Sequence, residues 1–256
     1  MEPAKRYDIR DAARYLDVAP STLRYWESEG LVRTERNPEN DYRQYSLHSL
    51  IDASEIAFYR KLGVSVKELK GYHDLTIETL DDTLERTATD LARRIAELDS
   101  MKLQLEKQQE LNAIAKDLAE HGARFSAPAV TQLRALDYRM PEIWQLLVSE
   151  PWRYGILIEA AHPETTVEAL ADTDLPDASP LWKKTPEAAH RPCLECLLRV
   201  SLDASESTAS SLFEEARRQG IRPSRLVGSY LLSATEPSGG QRYDYYRAWI
   251  IGESRT

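Results

Sequence analysis

Residues 18–30, VAPSTLRYWESEG, place several hydrogen-bond donors where a short helix should begin. Ser21 and Thr22 carry hydroxyls, and Arg24 and Tyr25 add a guanidinium and a phenol within one turn. A helix that presents a guanidinium and hydroxyl groups can donate hydrogen bonds to phosphate oxygens and to the edges of bases. An exposed arginine that only improves solubility is the alternative interpretation of Arg24.

Two short helices joined by a tight turn would position these side chains. Apolar residues at helical spacing predict the first helix, namely Ile9, Ala12, Ala13 and Leu16. Pro20 and Ser21 are typical of the start of a second helix, which Gly30 ends. Such a pair is a helix-turn-helix unit, whose second helix can enter the major groove of DNA.

A β-hairpin is expected after the second helix. LVRT at 31–34 and YRQY at 42–45 have strand composition and flank the turn-rich stretch NPEND. Tyr42 and Arg43 would then contact the phosphate backbone, and such contacts position a protein without reading the base sequence.

A further helix pair is predicted from SLHSLIDASEIAFYRKLGVSVKELKGY. Ser46 is a suitable N-cap for the first of the two helices, and Gly63 would separate them. Arg60 and Lys61, next to that break, complete the set of residues that we expect at DNA.

The charge distribution limits how strongly one copy of the chain can bind a polyanion. The formal net charge is -9, and residues 1–75 hold 12 Lys and Arg against 13 Asp and Glu. DNA binding therefore depends on the placement of a few cations, and it should be modest and sensitive to salt.

Three motifs in order resemble the DNA-binding domain of the MerR family of bacterial transcription regulators: APSTLRYWESEGLV, DYRQYS and KLGVSVKEL. The resemblance covers residues 7–75 and implies a winged helix-turn-helix domain, which we assign to residues 1–75. Trp26 stands where the family usually has tyrosine, and we expect it to pack against the hairpin or the helix pair. Asp41 replaces the usual glycine of the wing and adds a negative charge beside the DNA face.

A long polar helix is predicted for residues 77–118. Apolar residues recur every seven positions, with further apolar residues between them: Ile77, Leu84, Leu91, Leu98 and Leu105, then Leu80, Ala88, Ile95 and Met101. Sustained sevenfold spacing indicates a coiled coil. Packing of this helix on its own C-terminal domain is the alternative. The resemblance implies an antiparallel coiled-coil homodimer, with residues 76–122 as the dimerisation helix.

The C-terminal part, residues 123–256, is expected to be an α+β domain with an antiparallel sheet. Strands are predicted at 130–136, 153–160, 193–201, 225–235 and 243–251, with helices near 141–149 and 205–219. ARFSAPAV, starting at residue 123, is interpreted as a linker, and DTDLPDASPLWKKTPEAAH, ending at residue 190, as an insertion or long loop. The layout of the second half is similar to the GyrI-like ligand-binding domain of multidrug-sensing MerR regulators.

Aromatic residues are concentrated in this domain, which holds four of the five tryptophans. Aromatic walls with a carboxylate among them suit planar or cationic hydrophobic compounds, although most such aromatics belong to a core. The effector-binding residues that we predict are Trp144, Tyr154, Glu195, Tyr230, Tyr245 and Trp249. Tyr230 and Trp249 are preferred, because their strands should be neighbours.

Glu195 is the acidic member of this set, and it lies inside an apolar strand. In drug-binding relatives the acidic residue stands on the strand that corresponds to 225–235, where this chain has none. Glu195 or Glu159 would substitute for it. A buried carboxylate is costly unless it is paired, so neutralisation of Glu195 by Arg199 or Arg247 is the structural alternative.

Cys193 and Cys196 form a C-x-x-C motif, but residues three apart on a strand point to opposite faces. We therefore expect two buried thiols, no metal site and no cofactor. No apolar run reaches the ~18 residues of a membrane span, and the N-terminus has no apolar signal region. The expected location is the cytoplasm, with no membrane partner.

The resemblance implies a transcription regulator and no enzyme. A homodimer would bind an inverted repeat in double-stranded promoter DNA and distort it in response to a small hydrophobic or aromatic effector, so that RNA polymerase engages. One alternative is a C-terminal domain that binds a protein partner. Another is a GyrI-like hydrolase with Glu195 and a tyrosine as acid and base.

Overall fold

The computed structural model describes residues 6–173, 179–185, 193–236 and 239–253. The chain forms two compact units, Met1–Lys102 and Leu103–Thr256, whose boundary lies within one long helix. Within the described ranges, no helix has both the length and the apolar character needed to cross a membrane.

The N-terminal unit contains the predicted helix-turn-helix pair. Its elements are α1 (Ile9–Leu16), α2 (Pro20–Ser28), β1 (Glu35–Arg36), β2 (Arg43–Gln44), α3 (Leu47–Lys61), a 3-10 turn (Tyr72–Asp74) and the first part of α4 (Ile77–His121). Asp8 begins α1, because its carboxylate accepts the amides of Arg10 and Asp11, each at 2.8 Å. Ser46 caps α3 as predicted and accepts the Ser49 amide at 3.0 Å.

Two predictions for this unit are wrong in detail. The stretch LVRT at 31–34 is not a strand: Leu31 and Val32 are part of the core, and the hairpin ladder begins at Glu35. The second helix of the predicted pair is a series of turns. The chain runs through turns at 66–71, between Gly63 and Gly71, whose φ values are positive (99° and 73°).

The core of the N-terminal unit joins α1, α2, α3 and the hairpin. Its buried members are Ala12, Ala13, Leu23, Trp26, Leu31, Val32, Tyr45, Ala53, Ile56, Ala57, Val64 and Leu69. Trp26 is 3% exposed, which confirms the prediction that it packs inward. Because Leu23 and Trp26 anchor one side of α2, the opposite side of this helix faces solvent.

Helix α4 is continuous over 45 residues and ends at His121, where Gly122 takes a φ of 75°. The predicted long helix is thus confirmed. All residues from 88 to 106 are exposed in the single chain. Further along, Leu111, Ala115 and Leu118 are buried, and the first two pack with Leu231 of the C-terminal sheet.

The C-terminal unit is built on an antiparallel sheet of eight strands, in the order β3-β8-β10-β9-β5-β6-β4-β7. The strands are β3 (Arg124–Phe125), β4 (Gln132–Ala135), β5 (Tyr154–Glu159), β6 (Thr166–Ala171), β7 (Pro180–Lys183), β8 (Cys193–Ser201), β9 (Pro223–Thr235) and β10 (Arg242–Gly252). Two helices complete it, α5 (Pro141–Ser149) and α6 (Ala209–Arg218), and a 3-10 turn covers Pro151–Arg153.

All five predicted strands and both helices are present, but α6 begins four residues later than predicted. Three short strands are additional to the predicted ones. β3 lies in the expected linker, β7 lies within the expected long loop, and β6 was not predicted. Each depends on a partner: β3 pairs with β8, and β6 and β7 flank β4. Within that loop, residues 174–178 and 186–190 lie outside the described residues.

The two faces of the sheet carry separate cores. One face packs against α6 and includes Phe213 and Tyr246, and the other includes Val227 and Trp249. Cys196 belongs to the first face and Cys193 to the second, and both thiols are buried. The prediction that the two cysteines point to opposite faces is therefore confirmed.

Candidate functional site

The exposed side of α2 carries the residues that were predicted to meet DNA. Ser21, Arg24 and Tyr25 are exposed, and Thr22 is half-buried. Tyr25 keeps 49% of its surface accessible, although the next residue along the helix, Trp26, is buried. The arrangement presents a guanidinium and a phenol from the first two turns of a rigid helix, where a nucleic acid could be contacted.

A shallow groove brings several of these residues together with the end of α3. It has a volume of about 290 Å³ and lies between α2 and α3; its lining is Val18, Thr22, Tyr25, Trp26, Ala57, Arg60, Lys61 and Val66. Lys61 is exposed, whereas the guanidinium of Arg60 donates to the Val64 carbonyl at 2.5 Å. Arg60 therefore also holds the turn that follows α3.

Arg43 was expected to contact the phosphate backbone of DNA, but its guanidinium is already paired within the protein. Its guanidinium forms a short ion pair with Glu27 of α2, whose other carboxylate oxygen accepts the Thr34 hydroxyl at 2.7 Å. Arg43 thus ties the hairpin to α2, and Tyr42, which is 73% exposed, is the freely accessible residue of the predicted pair. The spacing in the sequence did not reveal this pair, because Glu27 and Arg43 are 16 residues apart.

Asp41 occupies the wing position where the resemblance leads one to expect glycine. Its φ is 58°, in the left-handed region that glycine adopts at little cost. Aspartate tolerates this region better than most residues. Arg36 donates to the Asp41 carbonyl at 3.1 Å, so the turn holds its shape despite the side chain.

Glu27 should make the stability of this unit dependent on pH. Burial opposes its ionisation, but hydrogen bonds from Thr34 and Arg43 outweigh burial and lower the pKa of Glu27 below its ordinary value. Its contribution is therefore present above the unfolded-state pKa and is lost as the pH falls through the folded-state pKa. We expect Glu27→Gln to cost about 1–2 kcal/mol at pH 7, and less in acid.

Urea unfolding at pH 7 and near pH 3.5, followed by circular dichroism, measures this difference. Glu39→Gln, in the exposed tip of the hairpin, is the matched control and should behave like the parent at both pH values. A cost for Glu27→Gln that is equal at both pH values would contradict the assigned role.

The predicted effector residues divide between several surfaces of the C-terminal unit. Trp144 lies on α5, is 51% exposed and donates its indole N–H to the Tyr138 carbonyl at 2.9 Å. Tyr154 and Tyr230 pack on the α6 side of the sheet. Trp249 belongs to the core of the other side. The predicted set therefore does not form a single pocket.

Tyr230 and Trp249, the preferred pair, point to opposite faces, so the prediction that both contact one ligand is wrong. Their strands are neighbours as predicted, but Tyr230 pairs with Tyr246 and Trp249 pairs with Val227. Since Tyr246 and Trp249 are an odd number of positions apart on one strand, they face opposite ways. A register shift beside Tyr246 moves Leu231 out of the ladder.

On the α6 side the aromatics form a tyrosine cluster. Tyr246 contacts Tyr154 and Tyr230, with ring centroids 6.1 and 5.8 Å apart. The Tyr230 hydroxyl lies 2.9 Å from that of Ser233, and Tyr138 bonds to Glu168. Burial raises the pKa of Tyr154 and of Tyr246, so both are neutral phenols at pH 7.

Glu195 lies on the Trp249 side, where it is 1% exposed. Arg247 donates to it at 2.6 Å and Arg124 at 3.0 Å. Burial opposes its ionisation, but the two arginines outweigh burial and lower the pKa of Glu195. The neutralisation by Arg247 that was considered from sequence is present, whereas Arg199 pairs with Glu236. Tyr245 has the same orientation as Arg247 and is half-buried.

A cavity of about 160 Å³ lies on this second face, between the sheet and the last turns of α4. Its lining comprises Lys107, Leu111, Ile114, Ala129, Val130, Trp152, Arg153, Ala171, Asp172, Ser229, Leu231, Arg247 and Trp249. Of the predicted effector residues, Trp249 lines it. Trp152, which was not among the predicted residues, is a second tryptophan in the lining. Among the described residues, no group of three or more His, Cys, Asp or Glu side chains could hold a metal ion.

The N-terminal unit is thus a helix-turn-helix protein of the DNA-binding class. Residues 7–75 match the model of the MerR HTH family regulatory protein. The regulator CueR of Escherichia coli O157:H7 is 30% identical over 105 residues, which are 38% of this chain and 77% of CueR. ZntR of Escherichia coli K12 is 27% identical over 108 residues, which are 40% of this chain and 77% of ZntR. The chain belongs to the MerR family, and it is a DNA-binding transcription regulator, not an enzyme.

Two solved structures are similar to the chain. HiNmlR, a MerR family regulator lacking the sensor domain and bound to promoter DNA, has 26% identity and a TM-score of 0.33, and covers 45% of this chain and 96% of its own. EcmrR, in a cryo-EM complex with DNA, has 13% identity and a TM-score of 0.35, and covers 96% of this chain and 100% of its own. Structural similarities with TM-scores this low do not establish the fold family of the C-terminal unit.

Proposed function

We propose that the protein is a cytoplasmic, effector-responsive regulator that binds an inverted repeat in promoter DNA as a homodimer and acts on RNA polymerase there. The observation that carries the DNA-binding part is the exposed face of α2, where Arg24 and Tyr25 project from a helix held by Leu23 and Trp26. The hairpin beside α2 would serve as the wing, with Tyr42 as its accessible contact.

Apolar side chains of α4 that are exposed in the single chain support the proposal of a dimer. Along α4, the exposed members are Ile77 at 85%, Leu91 at 52%, Ile95 at 51%, Leu98 at 63%, Met101 at 58% and Leu105 at 64%. A helix with such a seam is stabilised when a second helix covers it. The antiparallel coiled coil is the arrangement that the family resemblance favours, and it doubles the few phosphate contacts of each N-terminal unit.

The C-terminal unit is proposed to bind the effector on the face of the sheet that carries Trp249. The cavity on that face is apolar on the side of α4, through Leu111 and Ile114, and it contains the two tryptophans Trp152 and Trp249. Apolar pockets with a few polar groups are typical of small-molecule sites. Because α4 forms one wall, occupancy of the cavity would bear directly on the dimerisation helix.

This geometry favours the regulator over the hydrolase that was considered from sequence. Glu195 is buried and its two carboxylate oxygens accept from Arg124 and Arg247, so the structure gives this carboxylate a structural role as an ion-pair partner. The third possibility, a protein partner for the C-terminal unit, gains no specific support from an observation in the described residues.

Selection of bound sequences from random double-stranded DNA tests the proposal. Purified full-length protein should enrich an inverted repeat whose two halves are equivalent, because a two-fold dimer places two α2 helices on the DNA. Footprinting on the enriched site should protect both halves together. Enrichment of a single half-site, or of no sequence, would contradict the dimeric regulator.

A further inference from the structure

The hairpin of β1 and β2 carries two arginines that lie directly opposite each other. Arg36 and Arg43 are register partners of the two strands, and side chains opposite each other in an antiparallel pair share one face. That face is turned towards α2, because the Nε of Arg43 donates to the Glu27 carboxylate. Arg36 is also near enough to Glu27 to help lower the pKa of that carboxyl. Both arginines therefore border α2, the helix that would meet DNA.

The two guanidinium groups differ in which of their donors are free. The edge formed by Nε and Nη2 can donate two parallel hydrogen bonds to the oxygens of a phosphate. In Arg43 this edge is engaged, because Nε is bound to Glu27. Arg36 uses Nη1 for the Asp41 carbonyl, at 3.1 Å. Its side chain is 49% exposed, and among the described residues its Nε and Nη2 have no hydrogen-bond partner. This edge of Arg36 is therefore open to a phosphate.

The Asp41 carboxylate is the group that competes with a phosphate for Arg36. Its Oδ2 lies 3.8 Å from Nη1 of Arg36, and the Asp41 side chain is 85% exposed. Exposed ion pairs with this spacing contribute little, because water and salt screen them. The carboxylate therefore leaves the guanidinium available, while the Asp41 carbonyl holds it at the tip of the hairpin.

Helix α2 places its own arginine on the side of the hairpin. Arg24 and Glu27 are three residues apart and so lie on one side of the helix, and Glu27 contacts the hairpin through Arg43. Tyr25 lies on the other side, where it lines the groove between α2 and α3. The exposed Arg24 and the open edge of Arg36 therefore border the same junction between α2 and the hairpin.

We infer that Arg36 is the cationic phosphate contact of the hairpin, in place of Arg43. Its Nε and Nη2 donate to the oxygens of a backbone phosphate beside the junction, and Arg43 holds the hairpin against α2. The inference rests on the proposal that α2 and the hairpin bind DNA together, and it adds a contact residue to that interface. Because a phosphate contact carries no sequence information, it strengthens binding to any duplex.

The salt dependence of binding to a mixed-sequence duplex tests this assignment, since a phosphate contact releases counterions from DNA of any sequence. The full-length protein is titrated with a labelled duplex between about 50 and 200 mM salt. Arg36→Gln should weaken binding roughly 5- to 10-fold at the lower salt concentration. It should also reduce the slope of log K against log salt by about 1 for each N-terminal unit on the DNA. An unchanged slope, or a parent protein that does not bind, would overturn the inference.

Three further variants show which property of Arg36 is responsible. Arg36→Lys keeps the charge without the fork, so the slope should be retained although the affinity falls. Arg43→Gln should reduce the slope less than Arg36→Gln does, even though it frees the hairpin from Glu27. Arg93→Gln, on α4, is the charge-matched control and should keep the parent slope. If Arg43→Gln or Arg93→Gln reduced the slope as much as Arg36→Gln, the contact would not belong to Arg36.

Selection from random DNA separates this inference from the proposed function. A protein that shows the expected loss in Arg36→Gln on the mixed-sequence duplex but enriches no inverted repeat supports the contact and refutes the dimeric regulator. A protein that enriches the repeat, and whose salt slope is the same with and without Arg36, supports the regulator and refutes the contact.

Discussion

Replacing Arg24 by alanine should lower the affinity of the protein for its selected DNA site roughly 30-fold or more, since one arginine contact is worth about 1–3 kcal/mol and the proposed dimer loses it twice. Arg24 is exposed near the start of α2, and it has no role in the core that Leu23 and Trp26 form. The loss should therefore come from the interface and not from unfolding. Fluorescence anisotropy with a labelled duplex measures the affinity, and circular dichroism checks the fold.

Arg93→Ala is the charge-matched control for this change. Arg93 lies on α4, where it pairs with Glu97 at 2.8 Å and Asp90 at 3.4 Å. Its removal alters the net charge by the same amount without touching α2, so the affinity should change little. Equal losses in the two variants would mean that overall charge and not α2 determines binding, and the assigned interface would be wrong.

Leu98→Asp should convert the proposed dimer to monomers at protein concentrations where the parent is dimeric. Leu98 is 63% exposed in the single chain, at the centre of the seam. A buried leucine contributes about 1.5–3 kcal/mol, and the dimer would lose two and gain two buried charges. The dissociation constant should rise on the order of 100-fold or more, as sedimentation velocity can measure.

Ala96→Asp introduces the same charge into the same stretch of α4, two residues away and on the far side from the seam. It should leave the dimer intact. DNA binding should follow the oligomeric state, because a monomer presents only one α2. If Leu98→Asp remained dimeric, α4 would not be the dimerisation element, and if both variants dissociated, charge repulsion and not the seam would be responsible.

Two neighbouring residues of the hairpin were given the same role from sequence but have different roles in the structure. Tyr42 and Arg43 are adjacent, and both were expected at the phosphate backbone. Arg43 is instead bound to Glu27 of α2. This ion pair sets the position of the hairpin relative to α2, so Arg43 would act on DNA binding by positioning Tyr42 and not through its own contact.

Local patterns of residues determine much of the N-terminal unit. Helical spacing, the turn at Pro20, the cap at Ser46 and the sevenfold repeat of α4 depend on residues that are close in the chain, so the sequence displays them directly. The same holds for the strands β8, β9 and β10, whose apolar runs are long enough to be recognised. The two cysteines were also placed on opposite faces by their spacing alone.

Only the tertiary structure decided which distant residues meet. The short strands β3, β6 and β7 take their structure from the strands beside them, and their composition carries no clear signal. The register of β9 against β10 placed Tyr230 and Trp249 on opposite faces, and the pairs Glu27–Arg43 and Glu195–Arg247 join residues far apart in the chain. The cavity beside Trp249 exists because the C-terminal part of α4 packs on the sheet through Leu111 and Ala115, which meet Leu231 from a distant part of the chain.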